Sequence, residues 1–414
     1  MGLPKDDSWL FNHAVDADNH LIGLFCIHRS CLKLLRDHSY VLIMDCTYKT
    51  NNYKMPMLDI NGVTSIGTTY FVGFVFMYNE KEPSYNFALT NLKAVYEHLK
   101  LSLPRTILTD KERALINACQ KVFPSADHMI CLWHVMNNIH TKARPLLHKE
   151  LIQSLPTAPD PKDKDTNEQL NKDTEDRLKK MLPKFMTVIQ APTHSDAMTC
   201  WQAFKDKYDN EIFQPLLAYI EKEWLNEDTK PQILECFTNN FFHLDMRSTS
   251  RGEASHWRLK KDLGTSIADY LYVIQSFERS ICHQHNLCQI QIDHENIEKP
   301  LRMLRSSLFG NVLTRISQFA LYKVLSIYDK FLLRGDKKLP IPEACTGNTQ
   351  ATQGIPCIHI IEDHMKHQKS LSVSHFHPQW YLYPAADTSP GSSYNCTGTL
   401  DSSVRSRTAS RLTK

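Results

Sequence analysis

YVLIMDCTYKTN, residues 40–51, sets four consecutive apolar side chains, Val41 to Met44, directly before Asp45. An apolar run of that length reads as a short strand covered on both faces. RTILTD, residues 105–110, repeats the pattern, with one threonine between the apolar TIL and Asp110. A carboxylate at the end of a buried strand is held rigidly while its head reaches the sheet surface. Two of them on neighbouring strands make an oxygen-rich pocket that suits Mg²⁺ or Mn²⁺, hard ions that prefer carboxylate and water. An aspartate after a strand is also an ordinary turn residue, and each Asp taken alone carries both readings.

Working outward, Leu21–Ile27, Met57–Val63 and Thr69–Tyr78 are further apolar runs of strand length, with Asn61-Gly62 as a turn signal between the last two. Tyr85–Lys100 has helical spacing, and Pro83-Ser84 suits its start. Glu112–Val122 reads as a helix, His128–Cys131 as a brief strand, and Trp133 onward as a third helix. Pro156 to Lys184 is charged and poor in apolar residues, which predicts a solvated linker leading into a helix. Ala197–Trp224 then has helical periodicity, so a helical unit is inserted after the third helix. Ser266–His283 and Leu301–Leu333 read as helices, and the Ser-, Thr- and Arg-rich end from about Ala385 as a disordered tail. The expected division is a mixed α/β core over 1–145, a linker and helical insertion over 146–236, the end of the core over 237–290, a helical region over 291–339, a small zinc-finger-like unit over 340–384 and a tail over 385–414.

Composition limits function less than pattern does. The 414 residues carry a net charge of +3, so DNA contact would need local patches rather than a general basic character. Tyr70–Tyr78, the most apolar stretch, is too short to span a bilayer, and the first residues form no secretory signal. No membrane partner is expected. Twelve scattered cysteines fit a reducing compartment.

The succession of three strands, helix, strand, helix, strand, helix is that of a ribonuclease H-like core. The segment MDCTYKTNNYKMPMLDINGV resembles the opening of the Mutator-like element (MULE) transposase domain, with its Thr47-Tyr48-Lys49-Thr50-Asn51 run after Asp45. TILTDKERALINACQKVFPSADHMICLWHVMNNI resembles the family's second block: Asp110, a helix, Phe123-Pro124, Cys131-x-x-His134 and Asn137-Asn138. The resemblance is dense over Tyr40–Ile139 and looser to about Tyr383. It implies a third acid after the helical insertion, for which Glu253 in TSRGEASHWRLKK matches best, with Asp245 and Glu235 as rivals. A glutamate favoured at a helix start is the alternative reading of Glu253. The three acids would bind Mg²⁺ or Mn²⁺ and cleave and transfer DNA strands at transposon ends without a covalent protein intermediate.

Cys131 and His134 are too few for a structural zinc; a buried thiol and a hydrogen-bonded imidazole is the plain reading, and the resemblance marks them as a recurrent pair. Asp127 and His128 precede them as accessory candidates. Near the end, Cys345, Cys357 and His359 resemble a SWIM zinc finger whose first cysteine position holds Glu343. Those four either bind Zn²⁺ or remain as a folded remnant, with His364, His367, His375 and His377 as substitute ligands. Arg247, Arg251, Arg258, Lys260 and Lys261 surround Glu253 and would suit a phosphate backbone, or form a solvated face. Trp257 among them would stack on a base or, as the more common fate of a tryptophan, pack in the core. The family's N-terminal zinc-dependent reader of element ends is not recognisable before Asp45. The expectation is therefore a nuclear, DNA-binding transposase core, acting as a homodimer as transposases commonly do. A DNA-binding regulator that keeps the fold without catalysis, or a decayed element fragment, is the alternative.

Overall fold

The computed structural model describes residues 8–156, 163–248, 257, 259–265, 268–330 and 344–383. A seven-stranded mixed sheet is its centre, formed by β1 (Trp9–Val15), β2 (Leu21–His28), β3 (Val41–Thr47), β4 (Met57–Val63), β5 (Thr69–Met77), β6 (Thr106–Thr109) and β7 (Asp127–Ile130). The order is β1-β2-β5-β4-β3-β6-β7. β4 pairs antiparallel with both β3 and β5, while β3, β6 and β7 are mutually parallel.

The alternation of side chains along β3 explains its unbroken apolar run. Leu42 and Met44 enter one core with Leu34 and Leu35 of α1 (Arg29–Asp37), Leu89 and Leu92 of α2 (Glu82–His98) and Leu115 of α3 (Arg113–Val122). Val41 and Ile43 enter another on the opposite face, with Leu108, Met129, Phe309, Val324 and Trp380. Farther along the sheet, Phe74 and Phe76 pack against Tyr270, Val273 and Phe277 of the long helix Tyr270–Ile297. Both faces of the sheet are therefore covered.

Several sequence expectations change. β1 and α1 were not foreseen. Asn61-Gly62 lies inside β4, and the turn falls at Thr64–Thr68, where the Thr64 amide donates to the Thr68 carbonyl at 2.8 Å. Gly62 serves packing instead: a Cβ there would meet the Tyr70 ring at 2.4 Å. The charged stretch expected as linker is largely helix, α5 (Lys164–Ile189), capped by Asp163. Leu170, Thr174, Leu178, Met181 and Phe185 form its buried stripe, and Arg144 and Glu150 of α4 (Leu132–Gln153) pair with Glu175 and Arg177. Residues 197–224 divide between α6 (His194–Lys207) and α7 (Gln214–Glu223). With α4 these helices enclose their own core around Phe185, Trp201, Phe204 and Trp224. The expected 301–333 helix is broken: Phe309, Val312 and Ile316 turn into the sheet-facing core, and a helix resumes only at Gln318–Tyr328, capped by Ser317. The described part of the 340–384 unit joins that same core, and Gln379 donates to the Val63 carbonyl at 2.7 Å. The tail lies outside the described residues.

Candidate metal centre

Strand pairing brings the two aspartates together. β3 and β6 pair Val41 with Thr106, Leu42 with Ile107 and Ile43 with Leu108. Continuing that register two residues sets Asp45 beside Asp110, and the pleat puts both on the face of Ile43 and Leu108. Asp45 is inside β3 and 7% exposed; Asp110 follows the last residue of β6. Burial pushes the Asp110 carboxyl above the usual carboxylate range. The His134 charge and the Glu112 amide, 3.3 Å from Oδ1, oppose that push, while Glu112 and Glu80 add to it.

His134 stands in the first turn of α4, with Cys131 as N-cap. Burial favours its neutral form, but a hydrogen bond from the imidazole to Cys131 and the charges of Cys131, Asp45 and Asp110 prevail and raise it to about 9. The expected Cys-x-x-His pair is thus joined to both acids electrostatically. The segment is fastened by the Leu132 amide, which donates to the Arg247 carbonyl at 2.8 Å. His128 is placed differently: its Nε2 lies 3.0 Å from Thr109 Oγ1 and its Nδ1 2.9 Å from Gln232 Oε1, so it braces β6. Asp127 is half-buried at the start of β7, its carboxyl raised by burial against the opposing charge of Arg105.

Lys111, one residue past Asp110, reaches the end of the helical insertion. Its Nζ donates to the Glu223 carbonyl at 2.6 Å and to Glu223 Oε2 at 2.8 Å, and lies 4.5 Å from the Trp224 ring centroid. The insertion is thereby anchored at the edge of the acidic pocket.

Glu253, Arg251, Arg258 and Glu343 lie outside the described residues. The rival acids are committed elsewhere: Glu235 lies 3.6 Å from Arg247, and Asp245 lies 3.9 Å from Arg247 and 3.4 Å from Lys323. Arg247 also donates to Thr238 at 3.1 Å and Asn239 at 2.9 Å, so its guanidinium is used inside the fold. Lys260 and Lys261 are exposed. Partial burial and the Lys49 charge lower Lys260, against the pull of Asp45, which sets this ammonium near the pocket. Trp257, expected in the core, is 66% exposed, with Lys261 Nζ 5.0 Å from its ring centroid.

A second cluster joins Cys345, Cys357 and His359, whose ligand atoms lie within 4.8 Å of one another, the two sulfurs 3.6 Å apart. The Gly347 amide and the Cys357 thiol lower the Cys345 thiol, favouring the metal-binding thiolate. The other histidines serve the fold: His375 Nδ1 accepts from the Ser372 amide at 3.0 Å, His377 Nδ1 from the Gln379 amide at 3.1 Å, His367 Nδ1 lies 2.9 Å from the Asp363 carbonyl, and His364 packs edge-on against His375.

Sequence reasoning missed Glu80, Tyr48 and Lys49 at the pocket. Tyr48 and Lys49 sat in the quoted run but carried no assigned role, and Glu80 fell between the expected strand and helix with no reading of its own.

Among known proteins, residues 41–138 match the MULE transposase domain. FAR1-RELATED SEQUENCE 5 of Arabidopsis thaliana is 33% identical over 99 residues, 24% of this chain and 12% of that protein. FAR-RED IMPAIRED RESPONSE 1 of the same plant is 26% identical over 138 residues, 33% and 16% of the two chains. A PKS-NRPS hybrid synthetase of Chaetomium globosum is 21% identical over 371 residues, 85% of this chain but 8% of its own length. The chain thus spans a minor part of each of these relatives. The HTLV-2 integrase catalytic core domain, solved with magnesium, aligns with 39% of this chain and 94% of its own at 18% identity, with a TM-score of 0.16, too low to establish a common fold. The segment that carries Asp45, Asp110, Cys131 and His134 is the one that matches the MULE transposase domain.

Proposed function

We propose that this chain is a transposase-type, ribonuclease H-like core that cleaves and transfers DNA strands at transposon ends with divalent metal, acting in the nucleus. The observation that carries the reading is the β3–β6 register, which sets Asp45 beside Asp110 inside the MULE-matching segment. The strand order supports it. β5-β4-β3 form an antiparallel meander, β6 and β7 follow on the β3 side in parallel, and such a sheet presents both acids at the carboxyl ends of adjacent strands.

The donor set fits the metal. Two buried-edge carboxylates suit Mg²⁺ or Mn²⁺, and Asp45, Asp110 and Glu253 would hold it. When bound, the ion supplies water activation and charge stabilisation for phosphodiester cleavage. The chain's own residues orient that site. β3 and β6 fix the carboxylates, Cys131 and the acids fix His134, and Lys111 ties the insertion to the pocket's edge. Lys260, Lys261, Arg251 and Arg258 offer charge to a phosphate backbone, and exposed Trp257 offers a face for stacking.

Cys345, Cys357, His359 and Glu343 form a zinc site in this reading; paired thiolates with an imidazole suit Zn²⁺ better than the hard ions. The purified chain is expected to release about one Zn²⁺ per molecule on denaturation, detected by a colorimetric chelator, and Cys357→Ser to release none. Equal zinc in the two proteins removes the assignment.

The functional test is Mn²⁺-dependent nicking of supercoiled plasmid by the full chain. Nicking should be lost in Asp45→Asn. Equal nicking by wild type and variant excludes the enzymatic reading, while DNA binding without cleavage returns the regulator reading.

A further inference from the structure

We propose that Glu80 is a further carboxylate of the Asp45–Asp110 site, aimed into it by the phenols of Tyr48 and Tyr85. The proposal rests on the metal-dependent reading above and names a residue that reading does not contain.

Glu80 lies in the connection between β5 and α2 and is half-buried. Each of its oxygens meets a phenol: Tyr48 donates to Oε2, and the Tyr85 hydroxyl is 3.5 Å from Oε1. Both contacts trace back to the strand end that carries Asp45. Tyr48 follows Asp45 by three residues, and the Tyr85 hydroxyl also lies 3.3 Å from Sγ of Cys46, the next residue after Asp45. The Glu80 charge reaches Asp110 as well, where it helps hold that carboxyl above its usual range.

Local structure does not require this carboxylate. Asn79 already closes the turn into α2, its Oδ1 accepting from the Lys81 amide at 3.1 Å and the Ser84 hydroxyl at 3.0 Å. Glu82 supplies the acidic residue of the first helical turn. A glutamate needed for capping would accept from the amides of α2; Glu80 accepts from two phenols instead. Among the described residues no lysine, arginine or histidine forms an ion pair with Glu80. A half-buried carboxylate within electrostatic reach of Asp110, without a cation of its own, adds negative charge and an oxygen acceptor beside the place where a divalent ion would bind. Its role is to position and strengthen the metal site.

Isothermal titration of the metal-free full chain with MnCl₂, paired with its thermal midpoint, tests this. Glu80→Gln keeps the shape and an oxygen acceptor for the phenols but removes the charge. It should weaken Mn²⁺ binding by about ten-fold or more while leaving the metal-free midpoint unchanged, and Glu80→Asp should recover part of the affinity. If Glu80→Gln binds Mn²⁺ like wild type while Asp45→Asn does not, the Glu80 assignment falls and the metal reading stands. If Glu80→Gln lowers the midpoint along with the affinity and Glu80→Asp restores neither, Glu80 is a structural residue and the proposal is wrong. If the wild type takes up no Mn²⁺, or Asp45→Asn binds it equally, the metal reading fails and takes Glu80's role with it.

Discussion

Asp110→Asn should abolish Mn²⁺-dependent nicking while leaving the metal-free protein as stable as wild type or more so. The two effects have separate causes. A divalent ion contributes several kcal/mol of charge stabilisation to phosphodiester cleavage, and at about 1.36 kcal/mol per decade, loss of a ligand should cost on the order of a thousand-fold in rate. Stability moves the other way because the Asp110 carboxyl is held above its ordinary value, first by burial and then by the charges of Glu112 and Glu80. A carboxyl whose folded pKa is raised binds its proton more tightly folded than unfolded. Its charged form therefore subtracts stability once the pH exceeds the ordinary carboxylate range. Asparagine keeps the shape and an oxygen for the Glu112 amide without the charge. Differential scanning calorimetry with chelator present, beside the nicking assay, separates the outcomes. An aspartate that only terminates a strand predicts a lower midpoint with activity falling in proportion. A functional carboxylate predicts a preserved or higher midpoint with activity gone.

The contrast between Asp110 and Glu80 marks what the sequence discloses about this pocket. Asp45 and Asp110 are legible because each follows an apolar run, and strand periodicity then dictates face and register. Glu80 is not legible, because its meaning depends on Tyr48, 32 residues earlier in the chain, and that contact exists only once β3 and β5 lie in one sheet. The helical insertion teaches the same lesson through composition. Averaged over residues 156–184, charge outweighs apolar content and predicts solvent. Leu170, Thr174, Leu178 and Met181 nevertheless recur at spacings of four and three, enough for one buried stripe against α4. Trp257 fails in the opposite sense: a large aromatic was assigned to the core, yet it is exposed beside Lys261. Sequence pattern thus fixes the strands that carry the two aspartates, while the pocket's rim is decided by contacts between distant segments.

The fold should lose stability steeply between pH 7 and pH 5, because it buries histidines as neutral acceptors. His38 Nε2 accepts from the Ser65 amide at 3.5 Å, and His243 Nδ1 accepts from the Asp245 amide at 3.1 Å. A ring nitrogen that accepts from an amide cannot carry a proton. Burial lowers His38 to about 3, and burial with the Arg247 charge lowers His243 to about 4, against an ordinary 6.5. The unfolded chain takes up these protons below pH 6.5 and the folded chain does not, so stability falls as pH drops from 6.5 toward the folded values. At pH 5 each residue has lost about 2 kcal/mol, at roughly 1.36 kcal/mol per unit, or about 4 kcal/mol together. His128 and His377, each lowered to about 4 chiefly by burial, act in the same sense, with the more open His377 contributing less. Against a typical total of about 5–15 kcal/mol, that is a large fraction. Urea unfolding at pH 7, 6 and 5 should show it. His243→Asn, whose amide oxygen replaces Nδ1, and His38→Gln, whose oxygen replaces Nε2, should flatten the decline. If the double variant keeps the wild-type slope against pH, the acid sensitivity arises elsewhere, in the buried His128 and His377, rather than in these two acceptors.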